Sequence, residues 1–323
     1  MAQRVIGEGS YGCILYPPLP CKTDQSVLKI GRKKQPASTA LVGKLMSNQN
    51  TYTTEWTISK VVAAIDPTSK YFLYPTLGCR VNPPPPSIKC DIKPNPDLYQ
   101  LTMPYGGIDL KEWLIKNTDI TPRAFARLMV PIFEGVIKMT AAGYCHQDIK
   151  TYNIIVNPDT DAFRLIDFSL TRPLTDIYKP GNFRTTRHTY FPYPPEYRII
   201  TYLIQGQYVS PAAAVEEGLK NILSKDRGQY FFKYHPKKQA FKNDIVGLMD
   251  WLHQDMSAID QYADRVDVYS LGAIFIYAHK YLSHVSPLPP AYVALVASLT
   301  AADPRQRPTP TAALKALNQY LEE

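Results

Sequence analysis

The stretch His146-Gln147-Asp148-Ile149-Lys150-Thr151-Tyr152-Asn153, with Asp167-Phe168-Ser169 beginning fourteen residues beyond it, decides how this chain is read. It places a carboxylate, an ammonium and a carboxamide close together, with a second carboxylate shortly after. Asp148 can orient a hydroxyl and take its proton, and Lys150 can steady charge on a γ-phosphate. Asn153 and Asp167 offer hard oxygen ligands to magnesium. Each piece alone is weak, because an Asp-x-Lys on a loop is usually a solvated turn and a lone Asp-Phe a strand end. The weight comes from further matches in a fixed order.

Near the start, Ile6-Gly7-Glu8-Gly9-Ser10-Tyr11-Gly12-Cys13-Ile14 fits G-x-G-x-x-G, whose glycines let backbone approach a phosphate with no Cβ in the way. Dinucleotide-binding folds share the spacing, but there a helix follows. Here Cys13-Ile14-Leu15-Tyr16 reads as a strand, and Pro17, Pro18 and Pro20 break what comes next. A strand-turn-strand flap is therefore expected. Ser26-Val27-Leu28-Lys29-Ile30 reads as an apolar strand carrying one Lys. Around Glu55, the sole acidic residue between Asp24 and Asp66, apolar residues recur at helical spacing from Tyr52 to Val62.

Three later elements complete the order. They are Thr189-Tyr190-Phe191-Pro192-Tyr193-Pro194-Pro195-Glu196, Arg265-Val266-Asp267-Val268-Tyr269-Ser270-Leu271-Gly272, and Ala302-Asp303-Pro304-Arg305-Gln306-Arg307-Pro308-Thr309. In sum the chain resembles the eukaryotic-type protein kinase superfamily, serine/threonine type. Its compact glycine-rich start and long insertion also resemble kinases encoded by large nucleocytoplasmic DNA viruses.

The resemblance implies an α+β, bilobal fold with a small β-rich N-lobe and a larger helical C-lobe. It implies ATP as cofactor with Mg2+, or Mn2+ in its place, and protein substrates with Ser or Thr acceptors. Carried over residue by residue, Lys29 would grip the α- and β-phosphates and pair with Glu55. Gly7, Gly9, Ser10, Tyr11, Gly12, Ile14, Val27 and Ile155 would enclose the nucleotide. Thr102 would be the gatekeeper, Met103 and Tyr105 would meet the adenine edge through backbone, and Asp109 would hold the ribose. Pro104 has no N–H to give. Thr189 would bridge Asp148 and Lys150, Glu196 would pair with Arg307, and Asp267 would anchor the catalytic-loop backbone. Lys150 and Thr189 favour Ser/Thr over Tyr acceptors.

The domain organisation expected is an N-lobe over 1–105 and a C-lobe over 106–323, with no regulatory domain ahead of Gly7. Pro83-Pro84-Pro85-Pro86 marks a stiff surface insertion in the first. Glu196 and Asp267 stand much farther apart than in the family, so an insertion at about 200–262 precedes the central helix. Within it Ala212 to Leu223 and Ile245 to Leu252 read as helices.

Three substitutions depart from the pattern. Gln147 replaces the Arg that would receive an activation-loop phosphate, so activity is expected without that phosphorylation. Ser169 replaces the Gly after Asp-Phe, and Val27 replaces the usual Ala above the adenine.

Composition bounds the rest. The chain has 323 residues, 45% of them hydrophobic, enough for a sizeable core. Five cysteines, an odd number without metal-ligand spacing, read as thiols of a reducing compartment. With no signal peptide and no long apolar run, the expected location is cytoplasmic (host cytoplasm or virion if viral), with no membrane partner. A net charge of +8 permits nucleic acid as a partner, but the basic residues are dispersed and a solvated surface accounts for them. Rival readings are a pseudokinase scaffold, which would require loss of catalytic residues that are present, and a small-molecule kinase.

Overall fold

The computed structural model describes residues 3–9, 12–27, 40–90, 92, 97–183, 192–206, 210, 215–216, 219, 227–235, 238–282 and 288–323. The chain divides into two compact units, 1–107 with 164–169, and 108–163 with 170–323.

The first unit is built on a six-stranded antiparallel sheet in the order β1-β2-β4-β6-β5-β3. Its strands are β1 (Arg4–Gly9), β2 (Gly12–Tyr16), β3 (Cys21–Val27), β4 (Leu41–Met46), β5 (Leu77–Val81) and β6 (Leu98–Pro104). One helix, α1 (Gln49–Ile65), begins at Asn48, whose side chain caps the Thr51 N–H. Alternation along the strands sorts their side chains to two faces. Met46 and Leu101 meet Trp56 of α1 on one face. Leu15, Leu19, Leu45, Val81 and Leu98 form a second cluster together with Cys13 and Cys79.

The β1–β2 hairpin needs glycine at its tip. Gly12 has φ of 151°, and a Cβ there would lie 1.7 Å from the Leu45 carbonyl oxygen. Gly43 is required by packing instead: a Cβ would approach the Gln100 Oε1 to 2.3 Å. Gln100 is fully buried and uses both ends of its amide on Leu19, accepting from its N–H and donating to its carbonyl, each at 2.9 Å. It thereby pins the proline-rich turn after β2 to the sheet.

Two disulfides cross this unit, Cys13–Cys90 and Cys21–Cys79. This corrects the reading of the cysteines as free thiols of a reducing compartment. Cys145 alone remains free, and it is buried. The pairings were hidden because their partners lie 77 and 58 residues apart, across strands whose register the sequence does not display.

The second unit opens with β7 (Ile108–Asp109), α2 (Leu110–Lys116) and α3 (Pro122–Ala141). Thr121 caps α3 through the Ala124 N–H, with Pro122 at its first position. Then follow β8 (Tyr144–Cys145), β9 (Ile154–Asn157), β10 (Ala162–Leu165) and β11 (Arg172–Pro173). The helices after them are α4 (Pro195–Ile204), α5 (Arg227–Tyr234), α6 (Lys238–Gln254), α7 (Val266–Ala278), α8 (Pro290–Leu299) and α9 (Pro310–Glu322). Helix α7 is buried almost all round, as its largely apolar sequence requires. Most of Ala212 to Leu223 lies outside the described residues, whereas Ile245 to Leu252 belongs to α6.

The insertion is packed into this unit. Phe231 meets Phe241 and His235, and the His235 Nε2 lies 2.8 Å from the Thr300 hydroxyl. His279, at the end of α7, receives the Lys233 ammonium on Nε2 at 3.2 Å and meets the Tyr234 hydroxyl through Nδ1 at 2.9 Å. Burial lowers the pKa of both histidines from 6.5 to about 4, with Lys233 adding to the effect at His279. At the base of the unit, Arg307 and Glu196 are fully buried and joined by two hydrogen bonds of 2.9 and 3.0 Å. Arg307 also donates to the carbonyls of Ala301 and Arg265, so its guanidinium is well satisfied.

Arg307→Ala strands the Glu196 carboxylate in the interior, and a loss of about 3–5 kcal/mol is expected in denaturant unfolding. The histidines predict a pH effect. Each stays neutral in the folded chain where the unfolded chain takes up a proton, so stability falls as pH drops from about 6.5 towards 4. Thermal midpoints measured across that window should decline, and His235→Phe should remove part of the decline.

Candidate active site

In the first unit the site is assembled around Lys44 of β4. Its ammonium donates to both oxygens of Glu55 at 2.9 and 2.8 Å and to Asp167 at 3.0 Å. Burial opposes the charge on Lys44, but Glu55 and Asp167 outweigh it and hold the pKa above its usual value. Glu55 lies on the buried face of α1 and Lys44 on the face of β4 turned to that helix.

Asp167 is delivered by the 164–169 segment. The Asp66 carboxylate accepts the N–H groups of Lys70, Tyr71 and Phe72, fixing that turn. Leu165 then exchanges backbone hydrogen bonds with Tyr71 and Leu73, and Phe168 packs edge-on to Phe72. Asp167 has φ of 63°, a strained backbone for a residue with a Cβ. Ser169 donates its N–H to Asp167 at 3.4 Å, while its buried hydroxyl has no hydrogen-bond partner among the described residues.

Several expectations change here. Lys29 lies outside the described residues, and the lysine that meets Glu55 is Lys44. Val27 ends β3, the edge strand, where it pairs with Leu77 of β5 and not with β4 or β2. Val42 stands two residues before Lys44 in β4. Thr102 pairs across β4 with Gly43, and Gln100 on the same face reaches its hydroxyl at 3.3 Å. Its side chain is therefore on the face opposite Lys44, whose own partner is Leu101. Met103 pairs with Val42 on the Lys44 face. Tyr105 does not offer its N–H to a ligand, since that group continues the ladder to the Ala40 carbonyl at 2.7 Å. Of the glycine-rich loop, Gly7 and Gly9 lie in β1, Gly12 and Ile14 in β2, and Ser10 and Tyr11 lie outside the described residues.

In the second unit the Asp148 carboxylate accepts from Lys150 and from the Asn153 amide, both at 2.8 Å. Asn153 also donates to the Asp148 carbonyl, so its nitrogen is committed and its oxygen is the end left to ligate a cation. The loop is held from beneath by Asp267, which accepts the N–H groups of His146 and Gln147 at 2.7 and 2.9 Å. Gln147, with φ of 63°, donates to the Leu170 carbonyl at 2.7 Å and accepts from the Tyr197 hydroxyl at 3.0 Å. Asp109 caps α2 through the Glu112 N–H and pairs with Ile155 of β9. Thr189 lies outside the described residues, and Lys150 reaches Asp148 directly.

Mg2+ takes one or two protein oxygen ligands beside phosphates and water, and Asn153 and Asp167 are oxygen donors of that kind. Lys44, Gln100 and Tyr197 were not singled out by the sequence. Leu41-Val42-Gly43-Lys44-Leu45-Met46, an apolar strand with one Lys eleven residues before Glu55, carried the signal for the first.

Residues 2–199 match the protein kinase domain, and the chain belongs to that family. Over 66 residues, 20% of the chain, it is 35% identical to a protein named serine/threonine-protein kinase PknL in Mycobacterium tuberculosis. The same match occurs with Mycobacterium bovis. The alignment spans 16% of the length of these relatives. No helix among the described residues is long and apolar enough to cross a membrane.

Lys44→Met leaves Glu55 and Asp167 facing each other without a cation, and should destabilise the fold by about 3–5 kcal/mol in denaturant unfolding. The ammonium's contribution is complete below its unfolded pKa of 10.5 and is lost only at still more alkaline pH.

Proposed function

We propose that this protein is an active serine/threonine kinase, transferring the γ-phosphoryl group of Mg-ATP to Ser or Thr hydroxyls of proteins. The observation that carries the reading is the contact of Lys44 with both Glu55 and Asp167, the groups a kinase needs in register to hold phosphates and metal. Lys44 takes the phosphate-gripping role expected of Lys29. Asp148 accepts the substrate proton, and Lys150 balances charge on the transferred group. Asn153 and Asp167 hold the metal, which supplies Lewis-acid stabilisation when bound. Serine/threonine specificity is supported by Lys150 beside Asp148 and by the name of the matched relative.

Activity without activation-loop phosphorylation belongs to the same proposal. Gln147 uses both ends of a neutral amide on Leu170 and Tyr197, tying the loop to α4, and the amide carries no charge to pair with a phosphate. The pseudokinase alternative has no missing group to cite among Lys44, Glu55, Asp148, Asn153 and Asp167. A viral source and a cytoplasmic setting, on host side or in a virion, remain part of the proposal, although the disulfides remove cysteine usage as their support. The 200–262 insertion is assigned first a structural role, given its packing on α7 and α8.

Incubation with Mg-ATP and casein, histone or myelin-type acceptors should give phosphoserine or phosphothreonine. Asp148→Asn and Lys44→Met should lower the rate by at least about 100-fold, by the scale of acid–base and electrostatic contributions. Lys29→Met should leave it nearly unchanged, and equal losses at both lysines would sink the reassignment. Phosphatase pretreatment should not reduce activity.

A further inference from the structure

Tyr152 stands between Lys150 and Asn153 in the loop that carries Asp148, yet the fold does not bury it. At 47% it is one of four large hydrophobic side chains left exposed among the described residues. Lys111 of α2 lies over its ring at 4.9 Å and donates to its hydroxyl at 2.5 Å. That hydrogen bond raises the Lys111 pKa against a smaller effect of desolvation, so the ammonium is charged. The carboxylates closest to it in α2 are engaged elsewhere. Asp109 accepts the Glu112 N–H at 2.8 Å, and Glu112 holds Lys116 at 2.7 Å. Asp109 acts on Lys111 electrostatically, but less than the Tyr152 hydroxyl does. Tyr281, just after α7, is also within electrostatic reach of Lys111, and it carries the Lys280 ammonium over its ring at 4.6 Å.

The donor count gives this pair a use. An ammonium has three N–H donors, and Lys111 places one on Tyr152. The phenol oxygen, while accepting that bond, keeps its own O–H to donate. Two donors from different residues therefore lie side by side, one of them charged, and a single carboxylate can accept both. A cationic side chain at the same place would meet like charge. Asn153, the next residue, touches the Asp148 carboxylate at 2.8 Å, so the pair stands within about 10 Å of the attacking hydroxyl. An extended acceptor chain covers that span in about three residues.

We propose that Lys111 and Tyr152 form a carboxylate clamp for the acceptor protein, selecting Ser or Thr with an Asp or Glu within about three residues. This deepens the kinase reading above and rests on it. The clamp acts on the choice of acceptor, through residues that flank the reacting hydroxyl.

The test measures kcat/KM of the full chain with Mg-ATP on synthetic peptides. Each has one Ser in a neutral sequence, with Glu, Ala or Lys placed in turn at each of the three positions on either side. The expected result is one or two positions at which Glu is preferred to Ala by about tenfold, the scale of a charge-assisted hydrogen bond, and Lys is disfavoured. Lys111→Ala should bring the Glu-to-Ala ratio at those positions to one, Lys111→Glu should invert it towards Lys, and Lys111→Arg should retain it. Tyr152→Phe, which keeps the ring and removes the hydroxyl, should lower the ratio by less than Lys111→Ala. If only whole proteins are accepted, the ratio of acidic casein to basic histone should fall in Lys111→Glu. Equal rates on Glu, Ala and Lys peptides, or a preference for Glu that survives Lys111→Glu, would overturn the clamp alone. No transfer to any peptide or protein by the folded wild-type chain would overturn the kinase reading and the clamp with it.

Discussion

One ammonium between two carboxylates organises the β-rich unit. Lys44 cannot be buried as a charge unless it is paired, and neither Glu55 nor Asp167 could be placed beside the other without it. Everything nearby serves that constraint. Helix α1 must present Glu55 inward, β4 must turn Lys44 to the helix, and the 164–169 segment must be strapped to 71–73 so that Asp167 arrives. The positive φ of Asp167 is tolerated because the Asp66 turn, the Leu165 hydrogen bonds and Phe168 against Phe72 over-determine the backbone.

The helical unit follows a similar rule with another carboxylate. Asp267 opens α7, an otherwise largely apolar helix, and its two oxygens take the N–H groups of His146 and Gln147. Those donors face the interior and would otherwise be orphaned. The loop above can then hold Gln147 in a left-handed conformation, and Asn153 can fix the carboxylate of Asp148. Glu196 and Arg307 close the unit from below, tying the end of the activation segment to the last turn before α9.

Much of this was legible. Asp148, Lys150 and Asn153 stand in one short motif, where spacing sets which groups meet; the Glu196–Arg307 pair and the anchoring role of Asp267 were what the resemblance to protein kinases implied, and the contacts are present. The α+β division was legible from the same order. Lys44 was not, because the strand that carries it lacks the expected apolar residue just before the lysine. Gly43 stands there, since the buried Gln100 amide fills the space a side chain would need. Val27-Leu28-Lys29 imitates the pattern better, but Val27 ends the edge strand β3, and Leu28 and Lys29 lie outside the described residues. The Thr102 assignment failed for a related reason: a one-residue difference in register moves a side chain to the other face of a sheet.

Gln100, Gly43 and β3 form one argument about how the added strand is accommodated. The chain between β2 and β4 leaves the sheet at Tyr16, makes a proline-rich turn, and returns on the far edge beside β5. Such a crossing needs its backbone polar groups satisfied, and Gln100 supplies both a donor and an acceptor to Leu19. That amide is admitted only because Gly43 has no Cβ. The turn, the glycine and the glutamine are therefore mutually dependent, and the disulfides lie at the same place, one on each strand flanking the turn. An inserted strand has thus been locked to the kinase sheet by hydrogen bonds and sulfur together, while the Lys44 face opposite keeps the arrangement the chemistry needs.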